Sequence, residues 1–460
     1  MDDPSADAHG FARSLILNML RAGHVVIAAA LALLVLGVVM VNSAGMEVAR
    51  TPVTIESVLL SKSTIYMAMA LTLMLSVASL FPARLIAAPP AALCRKLGGA
   101  PCTRFGGLWG CSYHPAPSST ATRNGFGGWG LWSMWLAVLF MLGVLAMVYV
   151  PGLGDARKGS SRWIGLKVGD LTLQPSEFAK WFLVALVAWY AVVAKQRIRC
   201  LWTGLLPILT AAAIVAGFVA IEDLGTAVLL VCVAGVTTLA AGARFWHYLL
   251  PLPMALAGMY AMVKLEPYRM ARIVAFIDPY AAPRTSGYHM IQSQVAITNG
   301  QFGGRGLGNG LQKFGYLPED TTDFIFAIIC EELGLIGAIV VVVLLCTLLL
   351  AGLVIVIKQR ALPAKVLALG IVATVGIQAA INLLVVVGWA PTKGIALPLL
   401  SSGGTGWMLT ASALGVLVAL DRAASSEQLP AAVKASIAGP VTVAEPPTAE
   451  QPRTAAAIAT

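Results

Sequence analysis

Charge is what this sequence has least of. Asp, Glu, Lys and Arg make up 11% of its 460 residues, under half of the roughly 25% usual in soluble domains. That deficit excludes a soluble globular enzyme, and the abundance of apolar side chains excludes wholesale disorder. Acid is scarcer than base, 21 residues against 31. No basic run is interleaved with aromatics, so nucleic acid is a poor partner. Lys and Arg cluster instead at the ends of apolar runs, where they favour anionic headgroups or phosphate-bearing substrates. The seven cysteines do not form a disulfide framework. Cys200, Cys232, Cys330 and Cys346 lie in or beside apolar runs, as small hydrophobes do. Cys94, Cys102, Cys111 and His114 share one loop, but zinc ligands usually come in tighter pairs. A secretory signal is missing too: residues 1–23 are mixed polar, and the first apolar run reads as a retained helix. Nor is an internal repeat visible, which leaves an inverted-repeat transporter without support.

What the chain has is apolar surface along its whole length, 58% hydrophobic residues and a mean hydropathy of +0.83. About 20 apolar residues cross a bilayer as a helix. The fold class is therefore all-α, a polytopic membrane bundle with ten predicted spans. They lie near 24–43, 64–82, 130–150, 177–194, 201–220, 224–242, 246–264, 323–357, 364–388 and 405–421. The eighth is long enough to tilt or project. Basic residues gather in alternate connections, at Arg84, Arg95, Lys96, Arg104 and Arg123, at Lys195, Arg197 and Arg199, at Arg244, and at Lys358, Arg360 and Lys365. The short turn at Glu222 and Asp223 has none. This bias puts both termini in the cytoplasm.

The expected organisation follows. Residues 1–23 form a cytoplasmic segment and 24–421 the membrane domain. Within that domain, 83–129 is a flexible cytoplasmic insertion, and 265–322 is a large extracytoplasmic loop between helices 7 and 8. Residues 422–460, rich in Ala, Pro and Thr, form a disordered cytoplasmic tail.

Polar residues are the informative ones in such a protein. In "GSSRWIGLKVGDLTLQPSEFAKW" the Gln174-Pro175-Ser176-Glu177 run looks like a helix start. Arg162 and Lys180 there make either an interfacial anchor or a phosphate-facing ledge. The loop 265–322 carries Lys264 at its edge, Arg269, Arg272, Arg284, Arg305 and Lys313, which could hold a pyrophosphate. Its glycine run from Gly303 to Gly310 follows no strand and lacks the Walker ending, which argues against a nucleotide loop. "WAPTKGIALPLLSSGGTGW" reads as a re-entrant or broken stretch with Lys393 as its one charge. Glu331 and Glu332 point about 100° apart on a helix, so only one need face the bundle interior. Gln378 and Asn382 share a helix face and are either interhelical glue or the lining of a cavity.

These segments resemble the SEDS family (shape, elongation, division and sporulation), which includes FtsW, RodA and SpoVE. The resemblance rests on "RWI" and "QPSEFAK", on "DLGTA" at 223–227, on "GYHMIQSQVAI" through "GLGNGLQKFGYLPEDTTDFIFAIICEELGLIG", and on "APTKGIALPLLSSGGTGW". Ser402 stands where the family usually has Tyr. The match runs from about 130 to 421, and Thr-Lys-Gly at 392–394 is closer to the division branch, FtsW. The resemblance implies a glycosyltransferase of the plasma membrane that polymerises lipid II into glycan strands during cell division or cell-shape maintenance. It also implies a class B penicillin-binding protein and other divisome or elongation proteins as partners. A lipid II flippase or a catalytically inactive scaffold are the alternatives.

Such chemistry needs a carboxylate to deprotonate the acceptor hydroxyl. It also needs Arg, Lys or a divalent metal to stabilise the departing pyrophosphate. No cofactor is certain. The family pattern places its proposed catalytic Asp just before a Pro, at the position held here by Ala282. Either Asp278 has taken over, or the base is Glu319, Asp320 or Asp323, or polymerase activity is lost. Asp278 is the preferred base. Arg162, Lys180, Arg272, Lys393, Gln292 and Ser293 are the expected substrate contacts. Glu177, Asp223, Asp323, Glu332, Gln378 and Asn382 are the expected cavity or structural polar residues.

Overall fold

The structure is a computed structural model, and it describes residues 21–45, 58–83, 86, 127–151, 154–157, 160–165, 172–402 and 404–428. Most of the insertion (87–126, with Cys94, Cys102, Cys111 and His114), most of the N-terminal segment and the tail from 429 lie outside the described residues. The chain up to Ala424 is one compact unit. Of a second unit beginning at Ser425, only the end of the last helix is described.

Apolar runs become helices because helices alone satisfy their own backbone in hydrocarbon. The first three are α1 (Ala22–Ala44), α2 (Lys62–Leu80) and α3 (Gly127–Ala146). Ser61 caps α2, accepting from the Thr64 amide at 3.3 Å. Next comes α4 (Pro175–Ala194), which opens at Pro175 with Glu177 in its first turn, as the Gln-Pro-Ser-Glu run predicts. A π turn, Leu201–Leu205, leads into α5 (Leu206–Glu222). Asp223 separates α5 from α6 (Leu224–Ala240) and caps the latter through Gly225 N–H at 3.0 Å and Thr226 N–H at 3.1 Å. Then comes α7 (Pro251–Leu265), of which only Val263 is buried.

The loop 265–322 holds α8 (Pro267–Ile277) and α9 (Tyr288–Gly300). The chain ends with α10 (Ile325–Lys358), α11 (Leu362–Val386) and α12 (Gly404–Gln428). Among the described residues nine helices are long and apolar enough to cross a membrane, and the shorter α6 makes the tenth apolar rod. Gly334 is non-helical and divides α10; the part after it, at 1.5 Å per residue, measures about 36 Å, enough to cross the roughly 30 Å of hydrocarbon.

Two apolar cores hold the rods together. One joins α1, α2, α10, α11 and α12; the other joins α3 to α6. Val184 of α4 and Leu229 and Val233 of α6 belong to the first core, and Val366 of α11 to the second, so α4, α6 and α11 weld the halves. Gly370 permits a close crossing of α11 and α4: a Cβ there would come 2.5 Å from Val184 Cγ1.

The all-α bundle is as expected, and the structure adds to it a small antiparallel sheet, β1 (Gly154–Arg157), β2 (Ser160–Gly165) and β3 (Thr172–Leu173), ordered β1-β2-β3 between α3 and α4. Such strands are too short for their alternation to show in sequence. In addition, α12 does not stop at 421 but continues through the polar residues to Gln428. Ala-rich segments keep helical propensity after hydropathy is gone.

Candidate functional site

The polar residues collect at one end of the bundle, where the long loop meets the closing segment between α11 and α12. That segment is irregular and largely buried, as its prolines and glycines predict. Its carbonyls are satisfied from α11: Gln378 Nε2 donates to Ala396 O at 2.8 Å, and Asn382 Nδ2 donates to Ile395 O at 2.7 Å and Asp323 O at 2.8 Å. Ser401 Oγ accepts from Leu397 N–H at 2.7 Å, and Ser402 N–H donates to Thr321 O at 2.8 Å. Gln378 and Asn382 are therefore ties on irregular backbone rather than the walls of an open cavity.

Lys180 is placed away from the expected ledge. It is 2% exposed, and its ammonium donates to Glu177 Oε1 and Gln378 Oε1, each at 2.8 Å. A lysine needs such partners when buried, and here it links α4 to α11. Arg162 lies on β2, and its side chain is outside the described residues. Ser293 is buried and donates to Val386 O at 2.8 Å, fixing α9 to α11, while Gln292 is half-buried.

Both Glu331 and Glu332 are fully buried, which corrects the expectation that one would suffice. The reason is the glycine run, which wraps both faces of α10. Glu331 accepts from Leu311 N–H at 3.0 Å and Gln312 N–H at 3.1 Å. Glu332 accepts from Ser43 Oγ at 2.6 Å, Gly308 N–H at 3.0 Å and the Lys313 ammonium at 2.8 Å. Gly304 and Gly334 both take positive φ, +75° and +66°, and a Cβ on either would collide with backbone of the other's segment. The run is thus a structural crossing. Lys313 and Ser43 were not singled out as partners of Glu332 from sequence; they lie 19 and 289 residues from it.

A second group of cations has a different character. Arg272 donates to Thr392 O at 3.1 Å and to the Tyr268 hydroxyl, with its guanidinium 4.4 Å from that ring. Arg269 caps α5 through Ala220 O at 2.9 Å and Ile221 O at 2.8 Å. Lys393, beside Thr392, is half-buried. Burial holds its pKa below the ordinary lysine value; Asp223 opposes that shift, and Arg272 and Arg269 add to it. Arg272 and Lys393 are thus held on one segment, Arg272 through the carbonyl of the residue that precedes Lys393.

Asp278 ends α8, six residues past Arg272, and is exposed. Its Oδ1 accepts from Tyr280 N–H at 3.0 Å, and Oδ2 makes no bond among the described residues. Ala282 follows in the same turn, its carbonyl accepting from Thr285 and Gly287 N–H. Of the rival carboxylates, Glu319 Oε2 accepts from Thr322 Oγ1 at 2.9 Å and Asp320 Oδ1 from Thr321 N–H at 2.7 Å. Asp323 is half-buried, with its carbonyl bonded to Asn382. Among the described residues no three of His, Cys, Asp and Glu converge as a metal centre would require.

The chain is 39% identical to the Geobacter metallireducens protein named "Probable peptidoglycan glycosyltransferase FtsW" over 286 residues, which is 61% of this chain and 76% of that one. It is 39% identical to Bacillus subtilis "Stage V sporulation protein E" over 282 residues, again 61% and 76%. Among solved structures it resembles a chain of a peptidoglycan synthase complex that coordinates polymerization and crosslinking. There the TM-score is 0.56 at 22% identity, over 86% of this chain and 96% of that one. It also resembles the D255A mutant of the Thermus thermophilus Rod shape determining protein RodA, with a TM-score of 0.51 at 20% identity and the same coverage. At such identity the two structures establish the fold alone, a polytopic helical membrane bundle. The family model described as "Cell cycle protein" matches residues 129–426, and the chain belongs to that family of FtsW, RodA and SpoVE proteins.

Proposed function

We propose that the protein is a peptidoglycan glycosyltransferase that polymerises lipid II at the outer face of the plasma membrane. In this reading both termini are cytoplasmic, and the loop 265–322 faces outward. A class B penicillin-binding protein is its partner, with other division or elongation proteins around them. The names of the relatives support the activity. Within the chain, one observation carries the reading: Arg272 is pinned by Thr392 O and Tyr268, and Lys393, half-buried, stands on the next residue.

A departing lipid pyrophosphate concentrates negative charge at the leaving oxygens, and fixed cations stabilise it without reorganising. Arg272, pinned by Thr392 and Tyr268, and Lys393 on the adjoining residue supply that charge. Arg269 holds the end of α5, and Asp223 caps α6. Asp278 is the proposed base: its open Oδ2 takes the proton of the acceptor hydroxyl as the new glycosidic bond forms and the bond to the pyrophosphate breaks. Lys180, Glu332, Gln378 and Asn382 hold the frame.

The test is polymerisation of lipid II by the full chain with its partner in proteoliposomes. Asp278→Ala should lower turnover by at least about a hundredfold, with the protein still folded and the partner still bound. Unchanged turnover would remove Asp278 from the reaction. Ala282 favours one second reading, a scaffold that has lost catalysis. Under it the parent is silent and Ala282→Asp gains polymer, whereas robust parental synthesis ends that reading.

A further inference from the structure

At the end of the bundle opposite the long loop, four helices are drawn together around Asp421 of α12, which is 1% exposed. Its Oδ2 accepts from Gly23 N–H, in the first turn of α1, at 3.1 Å. Its Oδ1 meets the ammonium of Lys358, the last residue of α10, at 3.4 Å. The residues on either side of Asp421 tie the same ends. Leu420 O accepts from Gln359 Nε2 at 3.3 Å, and Arg422 donates to Ala78 O, in the last turn of α2, at 3.0 Å. These contacts bring four cations to one place: Arg21, two residues before Gly23, then Lys358, Arg360 beside Gln359, and Arg422.

The chain does not neutralise them. The segments that meet here, 21–24, 78–83, 356–361 and 417–424, contain no Asp or Glu besides Asp421, and that carboxylate is spent on Lys358 and the Gly23 amide. Arg360 and Arg422 are exposed and Arg21 is half-buried. Among the described residues the side chains of Arg21 and Arg360 have no partner, and Arg422 engages one nitrogen of its fork. Like charges repel at this range, so the patch carries a surplus that an anion would relieve. Its border is apolar and open: Leu80 at the end of α2 and Ile357 beside Lys358 are 80% and 76% exposed. Cations between spanning helices with bare aliphatic side chains beside them match a phosphate that carries acyl chains, and match a soluble anion poorly.

We propose that this patch binds the headgroup phosphate of an anionic phospholipid, with Arg21, Arg360 and Arg422 as donors, Lys358 as a fourth cation, and Leu80 and Ile357 against the acyl chains. Guanidinium suits the task because its planar fork donates to two phosphate oxygens at once. The site rests on the proposed function only for its leaflet, which is the cytoplasmic one when the long loop faces outward. No residue of the Arg272–Lys393 group takes part, so lipid binding and polymerisation can fail independently.

Native mass spectrometry of the full chain in detergent reads the binding. Phosphatidylglycerol should be retained about tenfold more tightly than phosphatidylcholine, and the margin should shrink as salt rises. Arg360→Gln and Arg422→Gln should each weaken phosphatidylglycerol retention about fivefold, the worth of one basic side chain at an anionic surface. With Arg21→Gln added, the margin over phosphatidylcholine should vanish. Arg244→Gln is the control, because it removes an exposed cation beyond α6, at the same end of the bundle but outside the patch, and it should change nothing. Arg360 makes no side-chain contact that a glutamine would break, so Arg360→Gln should melt with the parent, which separates lost binding from lost fold. Inorganic phosphate at the concentration of the lipid should displace nothing, since it brings no acyl chains. Equal retention of the two phospholipids, parental binding by the triple variant, an equal loss in Arg244→Gln, or displacement by equimolar phosphate would each overturn the proposal.

Discussion

The buried Lys313–Glu332 pair offers the sharpest test of how the long loop is held. Both side chains are fully buried, and the ammonium lies 2.8 Å from Glu332 Oε1. At that distance and an effective dielectric near 20, the attraction is on the order of 6 kcal/mol, much of which desolvation of the two ions offsets. Lys313→Met leaves the carboxylate with Ser43 and the Gly308 amide, and without a counter-charge. Truncating one partner of a buried pair costs about 3–5 kcal/mol. For a chain of this size that lowers the melting temperature by on the order of 3–5 °C, read in detergent by intrinsic fluorescence. Glu332→Gln on top should recover about half of the loss, because a neutral amide oxygen still accepts from Gly308 and no longer needs the cation. A Lys313→Met protein melting within a degree of the parent would refute the reasoning. So would a double variant whose loss equals the sum of the two singles.

Two further outcomes follow from the same geometry. Lys393 loses its proton below the ordinary lysine range because burial disfavours the ammonium. Lipid II turnover should therefore fall on an alkaline limb lying below that range, and Lys393→Arg should move the limb upward, since guanidinium stays charged; a pH–rate profile with the same limb in both proteins would contradict the assignment. Gly334→Ala forces a side chain into the +66° conformation and into the Gly304 backbone, and should cost more than about 3 kcal/mol, against less than 1 kcal/mol for alanine at Gly143, where nothing lies within 4 Å of the added carbon.

Much of the frame was legible because a long apolar run in a chain this poor in charge has one low-energy form. The run expected at 323–357 is a helix at Ile325–Lys358, and the one expected at 64–82 is Lys62–Leu80. Helix starts followed chemistry as well, with Pro175 and Glu177 opening α4 and Asp223 capping α6. Tertiary partners were not legible. Ser43 reaches Glu332 across 289 residues and Arg272 reaches Thr392 across 120, and spacing along one chain carries no trace of either contact. The 100° argument for the two glutamates failed for a related reason. It treated the helix as a straight rod among other rods, whereas Gly334 breaks α10 and lets a loop close over both faces.

The polar residues of the apolar helices answer a different need from catalysis. Irregular backbone is tolerated at membrane depth only where protein or water satisfies it. Lys180 bonds Glu177 and Gln378, and the Gln378 and Asn382 amide nitrogens bond the carbonyls of Asp323, Ile395 and Ala396, while Asn382 Oδ1 and Glu177 Oε2 make no bond among the described residues. Most of the hydrogen-bonding capacity of these side chains is committed to the frame. Groups with capacity left lie on the loop and its contacts: Asp278 with an open oxygen, and Lys393 half-buried between charges. Rigid ties beneath and open charges above are what phosphate-displacing chemistry requires, because cations fixed before the reaction need not reorganise during it. The buried ties fix the closing segment at Ile395 and Ala396, two and three residues past Lys393. Substitutions among them should register in substrate turnover through displacement of that one ammonium.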